Sequence, residues 1–163
     1  MNLILWRHAD AEDLPERASE FHASDLARAL TARGHKQAQA SAAWLRAHID
    51  RHAKILVSPA VRAVQTAQAM SVPYEIVREL APGADVSTVL AAAGWPDGPE
   101  APGDTVVVVG HQPTLGRVAS LLLSGVEANW SVRKSGLWWL SNRRREDEAQ
   151  VVLRAVMNPD MLP

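Results

Sequence analysis

The sequence predicts an α/β domain with three layers, in which a mostly parallel central sheet lies between helices and gains antiparallel strands late in the chain. Two observations predict this fold class. Short apolar runs alternate with longer stretches of helical spacing, and the clearest run, 105–109, is β-branched throughout, as is typical of a central parallel strand. Residues 1–163 are expected to form a single domain, because neither side of the proline-rich loop at 95–104 is long enough to fold alone.

The predicted strands are short apolar runs that end at polar or turn-forming residues. Four lie in the alternating part of the chain and two follow it: 3–6, 55–57, 74–77, 105–109, 136–141 and 150–156. The charged run 143–148 separates the last two and predicts the turn of a hairpin. The strands of a hairpin are antiparallel, whereas the rest of the sheet is predicted to be parallel. We therefore expect the hairpin to be added at an edge of the sheet.

The spacing of apolar residues and the turn signals predict four helices, over 32–50, 59–70, 85–93 and 113–124. Thr31 is the expected N-cap of the first helix, and Pro59 suits the first turn of the second. Gly125 is expected to end the last helix. Gly34 lies in the first turn of the first helix, where glycine indicates the close approach of another backbone. The acidic stretch 10–25 is predicted to be mostly loop.

Composition excludes several classes of protein. The chain has no cysteine, which excludes disulfides, thiolate nucleophiles and cysteine-type zinc sites. Its net charge of −1 gives no overall attraction to nucleic acid or to a membrane surface. No apolar run approaches the roughly 18 residues of a membrane span, and the run before Arg7 is too short for the core of a signal peptide. A cytoplasmic location, without nucleic-acid or membrane partners, is therefore expected.

Polar side chains directly follow three of the predicted parallel strands. Arg7 and His8 follow the first strand, and His111 follows the strand at 105–109. Ser58 follows the second strand, with Arg62 one helical turn later. Because the carboxyl ends of parallel strands meet at one edge of a sheet, where open α/β sheets bind ligands, we expect these side chains to converge.

The converging side chains predict a pocket for an anion. Arg7 and Arg62 offer planar forks of donors, and the helix N-termini after Ser58 and Gln112 add backbone N–H groups. This set suits a phosphoryl group or a carboxylate, and the two histidines favour the phosphoryl group, since a carboxylate receptor has no need of them. Beside the positive charge a histidine should have a lowered pKa, and a neutral imidazole is a competent nucleophile toward phosphorus.

Three motifs resemble the signatures of a known family, the histidine phosphatase superfamily with its phosphoglycerate-mutase-like fold. They are Arg7-His8-Ala9, the segment 58–67 (Ser-Pro-Ala-Val-Arg-Ala-Val-Gln-Thr-Ala) and Gly110-His111-Gln112-Pro113. The segment 25–31 is similar to the short phosphohistidine phosphatases of the SixA type, although Ala29 stands where these usually have proline. The resemblance covers nearly the whole chain.

The resemblance implies a role for each residue of the pocket. His8 would be the nucleophile that becomes phosphohistidine, Arg7 and Arg62 would bind the phosphoryl oxygens, and His111 would be the second histidine of the pocket. Neither a metal nor an organic cofactor is implied. Glu79 is the candidate general acid, by a loose match to the acidic residue that often follows the second motif.

Three further residues have two interpretations each. Ser58 either binds the phosphoryl group or caps the helix that follows it. Gln112 either contacts the ligand or only shapes the turn. Arg28 either contacts the substrate or shapes the pocket, or it forms only a salt bridge that fixes the acidic loop.

The short spacing between the second strand and the strand at 105–109 bears on the substrate. About 47 residues separate Val57 from Thr105, too few to cover the site with inserted structure. An open site suits a phosphorylated side chain of another protein, so the expected partner is a phosphohistidine-containing signalling or phosphotransfer domain, with phosphate or sulfate also fitting the pocket. A small-molecule phosphomonoesterase of the same superfamily and a non-catalytic phosphate-binding module remain as alternatives.

Overall fold

The computed structural model describes residues 1–14, 25–98, 104–145 and 148–162. Their main elements are β1 (Asn2–Arg7), α1 (Ala32–His48), β2 (Lys54–Val57), α2 (Val61–Gln68), β3 (Glu75–Ile76), α3 (Val86–Ala93), β4 (Thr105–Gly110), α4 (Thr114–Ser124), β5 (Leu137–Arg145) and β6 (Glu148–Met157). Short 3₁₀ turns follow β3 at Arg78–Leu80 and β6 at Pro159–Met161.

The described strands form one mixed sheet in the order β3-β2-β4-β1-β5-β6. The first four strands in this order pair in parallel, whereas β5 pairs antiparallel with β1 and with β6. The predicted arrangement, a mostly parallel sheet with a late antiparallel hairpin at one edge, is therefore confirmed.

The helices lie on both faces of the sheet because successive residues of its central strands point to opposite sides. Leu3 packs in a core cluster with residues of α3 and α4, and Ile4 packs in a second cluster with residues of α1 and α2. Residues 3–6 of β1 and 106–109 of β4 are fully buried. The three-layer α/β/α architecture predicted from the sequence is confirmed.

The start of α1 is fixed to the chain that leaves β1. Thr31 caps the helix as predicted, because its Oγ1 accepts a hydrogen bond from the N–H of Gly34 at 2.9 Å. A Cβ on Gly34 would lie 1.9 Å from the carbonyl oxygen of Asp10, which only glycine can avoid. The close backbone approach predicted for Gly34 is therefore confirmed.

The second helix begins later than predicted, at Val61 instead of residue 59. The N–H of Ser58 donates to the carbonyl of Val109 at 3.0 Å, so the chain continues along the sheet beyond β2. Ala60 is still extended, and the helix has no hydrogen bond from a side-chain N-cap. Pro59 therefore precedes the helix, and the interpretation of Ser58 as its cap is wrong.

Most other predicted boundaries differ from the structure by one or two residues, and three segments differ further. The third strand is only Glu75–Ile76, an exposed pair at the sheet edge, where just one neighbour holds the chain. Of the stretch 10–25, predicted to be mostly loop, residues 15–24 lie outside the described residues, and its last residue, Asp25, begins a helical turn at 25–27. The charged run expected as a hairpin turn lies largely within the strands, since β5 and β6 pair with each other beyond the last residue that pairs with β1.

Among the described residues, no helix combines the length and the apolar character that a crossing of the membrane requires.

Candidate active site

The candidate site lies at the carboxyl edge of the parallel strands, where the sheet order places the ends of β2, β4 and β1 next to one another. A pocket of about 360 Å³ opens there. Its lining residues are Arg7, His8, Ala11, Asp13, Asp25, Arg28, Arg62, Pro82, His111, Gln112 and Lys134. The structure thus brings together the two arginines and two histidines that the strand ends predicted.

The two ring nitrogens of His8 have different partners, and one of them, Nε2, faces Arg62. Its backbone N–H donates to the carbonyl of Gly110 at 3.0 Å, which continues the pairing of β1 with β4. Its Nδ1 lies 2.7 Å from the carbonyl oxygen of Ala9, so Nδ1 carries a proton and Nε2 carries the lone pair. Arg62 Nε donates to this Nε2 at 3.3 Å. The hydrogen bonds therefore select the tautomer in which Nε2 is able to act as a nucleophile.

Burial keeps both histidines neutral. The pKa of His8 falls to about 4, chiefly because the ring is buried, with the charges of Arg62, Arg7 and Arg28 adding to the effect and the hydrogen bond to Ala9 opposing it. The pKa of His111 falls to about 3, again mainly through burial. The predicted lowering is confirmed, but desolvation is a larger cause of it than the neighbouring arginines.

His111 is held between a serine and an arginine. Its Nε2 lies 2.7 Å from Ser58 Oγ, and its Nδ1 lies 3.5 Å from Arg62 Nη2. The centroids of the His111 and His8 rings are 5.2 Å apart. Ser58 itself is fully buried. Its hydroxyl therefore positions His111 from behind, and this explains the serine at the end of β2.

The two arginines supply the guanidinium donors of the pocket, and each is held by other contacts. Arg62 is buried, and its Nη1 and Nη2 donate to the backbone oxygen and to Oδ2 of Asp25 at 2.6 and 3.0 Å. Arg7 Nη1 donates to the carbonyl of Val132 at 2.9 Å. Arg7 Nε is buried and has no hydrogen-bond partner among the described residues. Because Arg7 lines the pocket, its guanidinium suits an anionic ligand there.

Asp25 is a pocket residue that the sequence analysis did not identify. Its Oδ1 accepts from Arg28 Nε and Nη2 at 3.0 and 2.9 Å, while its Oδ2 accepts from Arg62. Burial alone would raise the pKa of Asp25, but the hydrogen bonds and charges of these two arginines outweigh it and hold the pKa below 3.8. The i,i+3 spacing of Asp25 and Arg28 was the available signal. Arg28 combines two of its interpretations, since it lines the pocket and forms the salt bridge.

Lys134 adds a further cation at the edge of the pocket. It forms a close ion pair with Asp10 Oδ1. The neighbouring N–H of Ser135 donates to the carbonyl of His8 at 3.1 Å, and this bond fixes the segment before β5 against the end of β1. No motif or periodicity marks Lys134 in the sequence, so only the tertiary structure reveals it.

Two predicted site residues have other surroundings. Gln112 lines the pocket, but its amide is used within the fold, since Oε1 accepts from the N–H of Gly116 at 2.9 Å and Nε2 donates to the carbonyl of Trp130 at 2.7 Å. Glu79 is exposed and lines a different depression, beside Val77 and Thr88. The structure therefore does not bring Glu79 to the pocket, because the 3₁₀ turn that carries it lies on the side of the edge strand β3.

The arrangement combines a neutral imidazole with fixed positive charge. A tetrahedral anion in the pocket would meet guanidinium donors, and the lone pair of His8 Nε2 would be able to face the central atom if the anion took over the Arg62 donors that Asp25 and this lone pair now occupy. Buried, fixed donors of this kind stabilise the charge that develops during phosphoryl transfer, because they need no reorganisation as the reaction proceeds.

Comparison with known proteins gives concordant results. The profile of the histidine phosphatase superfamily (branch 1) matches residues 3–82. An uncharacterised protein of Picosynechococcus is 31% identical over 144 residues, which cover 84% of this chain and 82% of that protein.

Two solved structures extend the likeness to the whole fold. The protein histidine phosphatase SixA complexed with tungstate is 25% identical, with a TM-score of 0.76 and coverage of 98% of both chains. A putative phosphohistidine phosphatase SixA from Nakamurella multipartitia is 28% identical, with a TM-score of 0.70 and coverage of 97% of this chain and 95% of that one.

Proposed function

The chain belongs to the histidine phosphatase superfamily, among its SixA-type phosphatases, and on that premise we propose that it removes the phosphoryl group from a phosphorylated histidine of another protein through a phosphohistidine on His8. One observation carries this proposal. His8 Nε2 is a neutral, lone-pair nitrogen that lies 3.3 Å from Arg62 Nε in a pocket also lined by Arg7. A nucleophile and the donors for a phosphoryl group are therefore adjacent.

The reaction has two steps. In the first, the lone pair of His8 Nε2 forms a bond to phosphorus while the bond from phosphorus to the substrate's imidazole nitrogen breaks. The electron pair leaves with that imidazole, which takes a proton from solvent. In the second step, water attacks the phosphorus of phospho-His8, the electron pair of the P–N bond returns to Nε2, and inorganic phosphate leaves.

The surrounding residues stabilise both transition states. Arg7 and Arg62 bind the equatorial oxygens of the transferring phosphoryl group. His111, held by Ser58 at 2.7 Å, is positioned beside the same oxygens. The arriving phosphoryl group takes over the Arg62 donors that Asp25 occupies.

The leaving group of the proposed reaction makes little demand on a general acid. Glu79 lies outside the pocket, and Arg62 and Arg28 hold Asp25 in its ionised form, which leaves Asp13 as the other carboxylate among the described lining residues. An alkoxide leaving group depends on a general acid, whereas the imidazole of phosphohistidine is a much better leaving group. A P–N substrate therefore needs less help from a carboxyl group of the protein than a phosphate ester does.

The segment between β2 and β4 is consistent with a protein substrate. Of its described residues, only Arg62 and Pro82 line the pocket. The remainder builds α2, β3 and α3, so the described residues of this segment supply no cover over the site.

The proposal is tested by comparing kcat/KM for a phosphohistidine-containing phosphotransfer domain with kcat/KM for free sugar, nucleotide and amino-acid phosphates. We expect the protein substrate to be preferred and His8→Ala to abolish turnover. His35→Ala, which removes an exposed histidine outside the pocket, is the matched control. A preference of about a thousandfold, roughly 4 kcal/mol, for a small metabolite would identify a phosphomonoesterase instead. Phosphate binding without turnover of any substrate would identify a non-catalytic module.

A further inference from the structure

Next to the catalytic pocket lies a second depression, the basic groove, formed by Arg33, Lys36, Arg133 and Lys134 together with Gln37 and Asp160. We propose that the basic groove binds an acidic segment of the substrate protein that flanks its phosphohistidine. The inference rests on the proposed function and adds a recognition site to it.

The basic groove is continuous with the catalytic pocket. It has a volume of about 560 Å³, and Lys134 lines both depressions. One wall is the first two turns of α1, and the other comprises residues 133–134 with the 3₁₀ turn at Pro159–Met161. A chain that enters the pocket from this side must therefore pass along the groove.

The wall formed by α1 is fixed to the segment that follows β1 and His8. The N–H of Asp10, two residues after His8, donates to Gln37 Oε1 at 3.0 Å. The backbone of Gly34 meets the carbonyl of Asp10 so closely that no side chain fits between them. The backbone that carries Arg33 and Lys36 is therefore fixed relative to His8, as a docking site that positions a phosphohistidine requires.

The charge of the basic groove is local and is only partly neutralised. The whole chain carries 17 Lys and Arg against 18 Asp and Glu, yet the lining of the groove holds four cations and one carboxylate. Arg133 pairs with Asp160 at 3.0 Å, and Lys134 pairs with Asp10. Arg33 and Lys36 are exposed and make no ion pair with any described residue. These two charges are available to a partner.

The chemistry of the groove favours an acidic polypeptide over nucleic acid. Among the described residues, its lining contains no aromatic side chain on which a base could stack, and the near-neutral chain gives no long-range attraction to a polyanion. Carboxylates of a peptide suit two unpaired cations at the rim. Rim charges of this kind act mainly on the association rate and on its dependence on salt.

The experiment uses two synthetic peptides that carry one phosphohistidine each. They are identical except that several glutamates flank the phosphohistidine in one and glutamines in the other. Free phosphoramidate serves as the small P–N substrate. The variant is Arg33→Glu/Lys36→Glu, which leaves Lys134 intact because that residue lines the catalytic pocket. The control is Arg51→Glu/Arg143→Glu, which makes the same change in net charge at exposed positions at the opposite edge of the sheet.

We expect the wild-type chain to have a kcat/KM about tenfold higher for the acidic peptide than for the neutral one, chiefly through KM, with a preference that declines as ionic strength rises. The groove variant should lose this preference while its activity on phosphoramidate stays at the wild-type level. The control variant should retain the preference.

Each other outcome has a distinct meaning. Equal activity on both peptides, or a preference that survives in the groove variant, would overturn the docking site and leave the proposed function intact. Failure of the wild-type chain on phosphoramidate and on both peptides would overturn the proposed function itself. Stronger competition by a single-stranded oligonucleotide than by polyglutamate would overturn the assignment of the groove to a protein segment.

Discussion

The two buried histidines of the pocket should make the protein markedly less stable in mild acid. Both rings are neutral when folded, because their pKa values are about 4 for His8 and about 3 for His111. In the unfolded chain each returns to its ordinary pKa of 6.5. Because the folded pKa values are lowered, the unfolded state binds more protons below pH 6.5, and stability is lost as the pH falls from there toward the folded values.

The size of the loss can be worked out for a single pH. At about pH 5, the pH is about 1.5 units below the pKa of the histidines in the unfolded chain, whereas the folded histidines are still mostly neutral. Each histidine therefore lowers the free energy of unfolding by about 2 kcal/mol relative to about pH 8. The two together cost about 4 kcal/mol, a large part of the 5–15 kcal/mol typical of a domain. Carboxylates contribute little at this pH, since their ordinary pKa of 3.8 lies lower.

Urea unfolding at the two pH values, followed by tryptophan fluorescence, measures the effect. We expect His111→Gln to reduce the pH-dependent loss by about 2 kcal/mol and His8→Gln to do the same, since each removes one such group. His35→Gln is the control for removal of a histidine outside the pocket. If both pocket variants kept the full wild-type loss, the histidines would not be held neutral by burial, and the argument that His8 Nε2 is a ready nucleophile would fail.

Three substitutions test other parts of the account. Gly34→Ala places a Cβ 1.9 Å from a backbone oxygen, and it should lower the free energy of unfolding by about 1–3 kcal/mol or more in urea unfolding. Ser58→Ala removes the 2.7 Å contact with His111, and it should reduce kcat on phosphoramidate by about tenfold while KM changes little. Asp25→Asn removes the carboxylate that occupies Arg62, and isothermal titration should show inorganic phosphate binding about tenfold more tightly.

Each of these substitutions has a matched control. Gly110→Ala adds a Cβ that meets only a leucine side chain, at 3.5 Å, and should be far milder than Gly34→Ala. For Ser58→Ala the control is Ser87→Ala, which removes an exposed serine. For Asp25→Asn the control is Asp50→Asn, which removes an exposed carboxylate. Neither position lines the pocket. Equal effects for a test variant and its control would show that the specific contact does not matter.

The four central residues of the site could be predicted because strand ends in a parallel sheet have a fixed geometry. Arg7, His8 and His111 follow buried apolar runs directly, and Arg62 follows within one helical turn, so topology alone places them together. Gly34 was predictable for a related reason, since a glycine in a first helical turn marks a close contact.

The other residues of the pocket depend on tertiary structure that no local pattern encodes. Asp25 and Lys134 come from segments without apolar periodicity, and they reach the site through hydrogen bonds such as that from Arg62 Nη1 to the Asp25 backbone. The structure does not bring Glu79 to the pocket, because the position of a residue after a motif in the sequence does not determine on which side of the sheet edge its side chain lies. Ser58 contacts a histidine that is 53 residues away along the chain, and no local sequence pattern predicts this contact.

The central claim is that His8 accepts the phosphoryl group, and trapping the phosphoenzyme tests it most directly. Wild-type protein and His8→Ala are incubated with labelled phosphoramidate and analysed without an acid quench. We predict a base-stable, acid-labile label on the wild-type protein that is absent from His8→Ala. Turnover by the wild-type protein with no label on either would contradict the account, because water would then attack the substrate directly or another group would be the nucleophile.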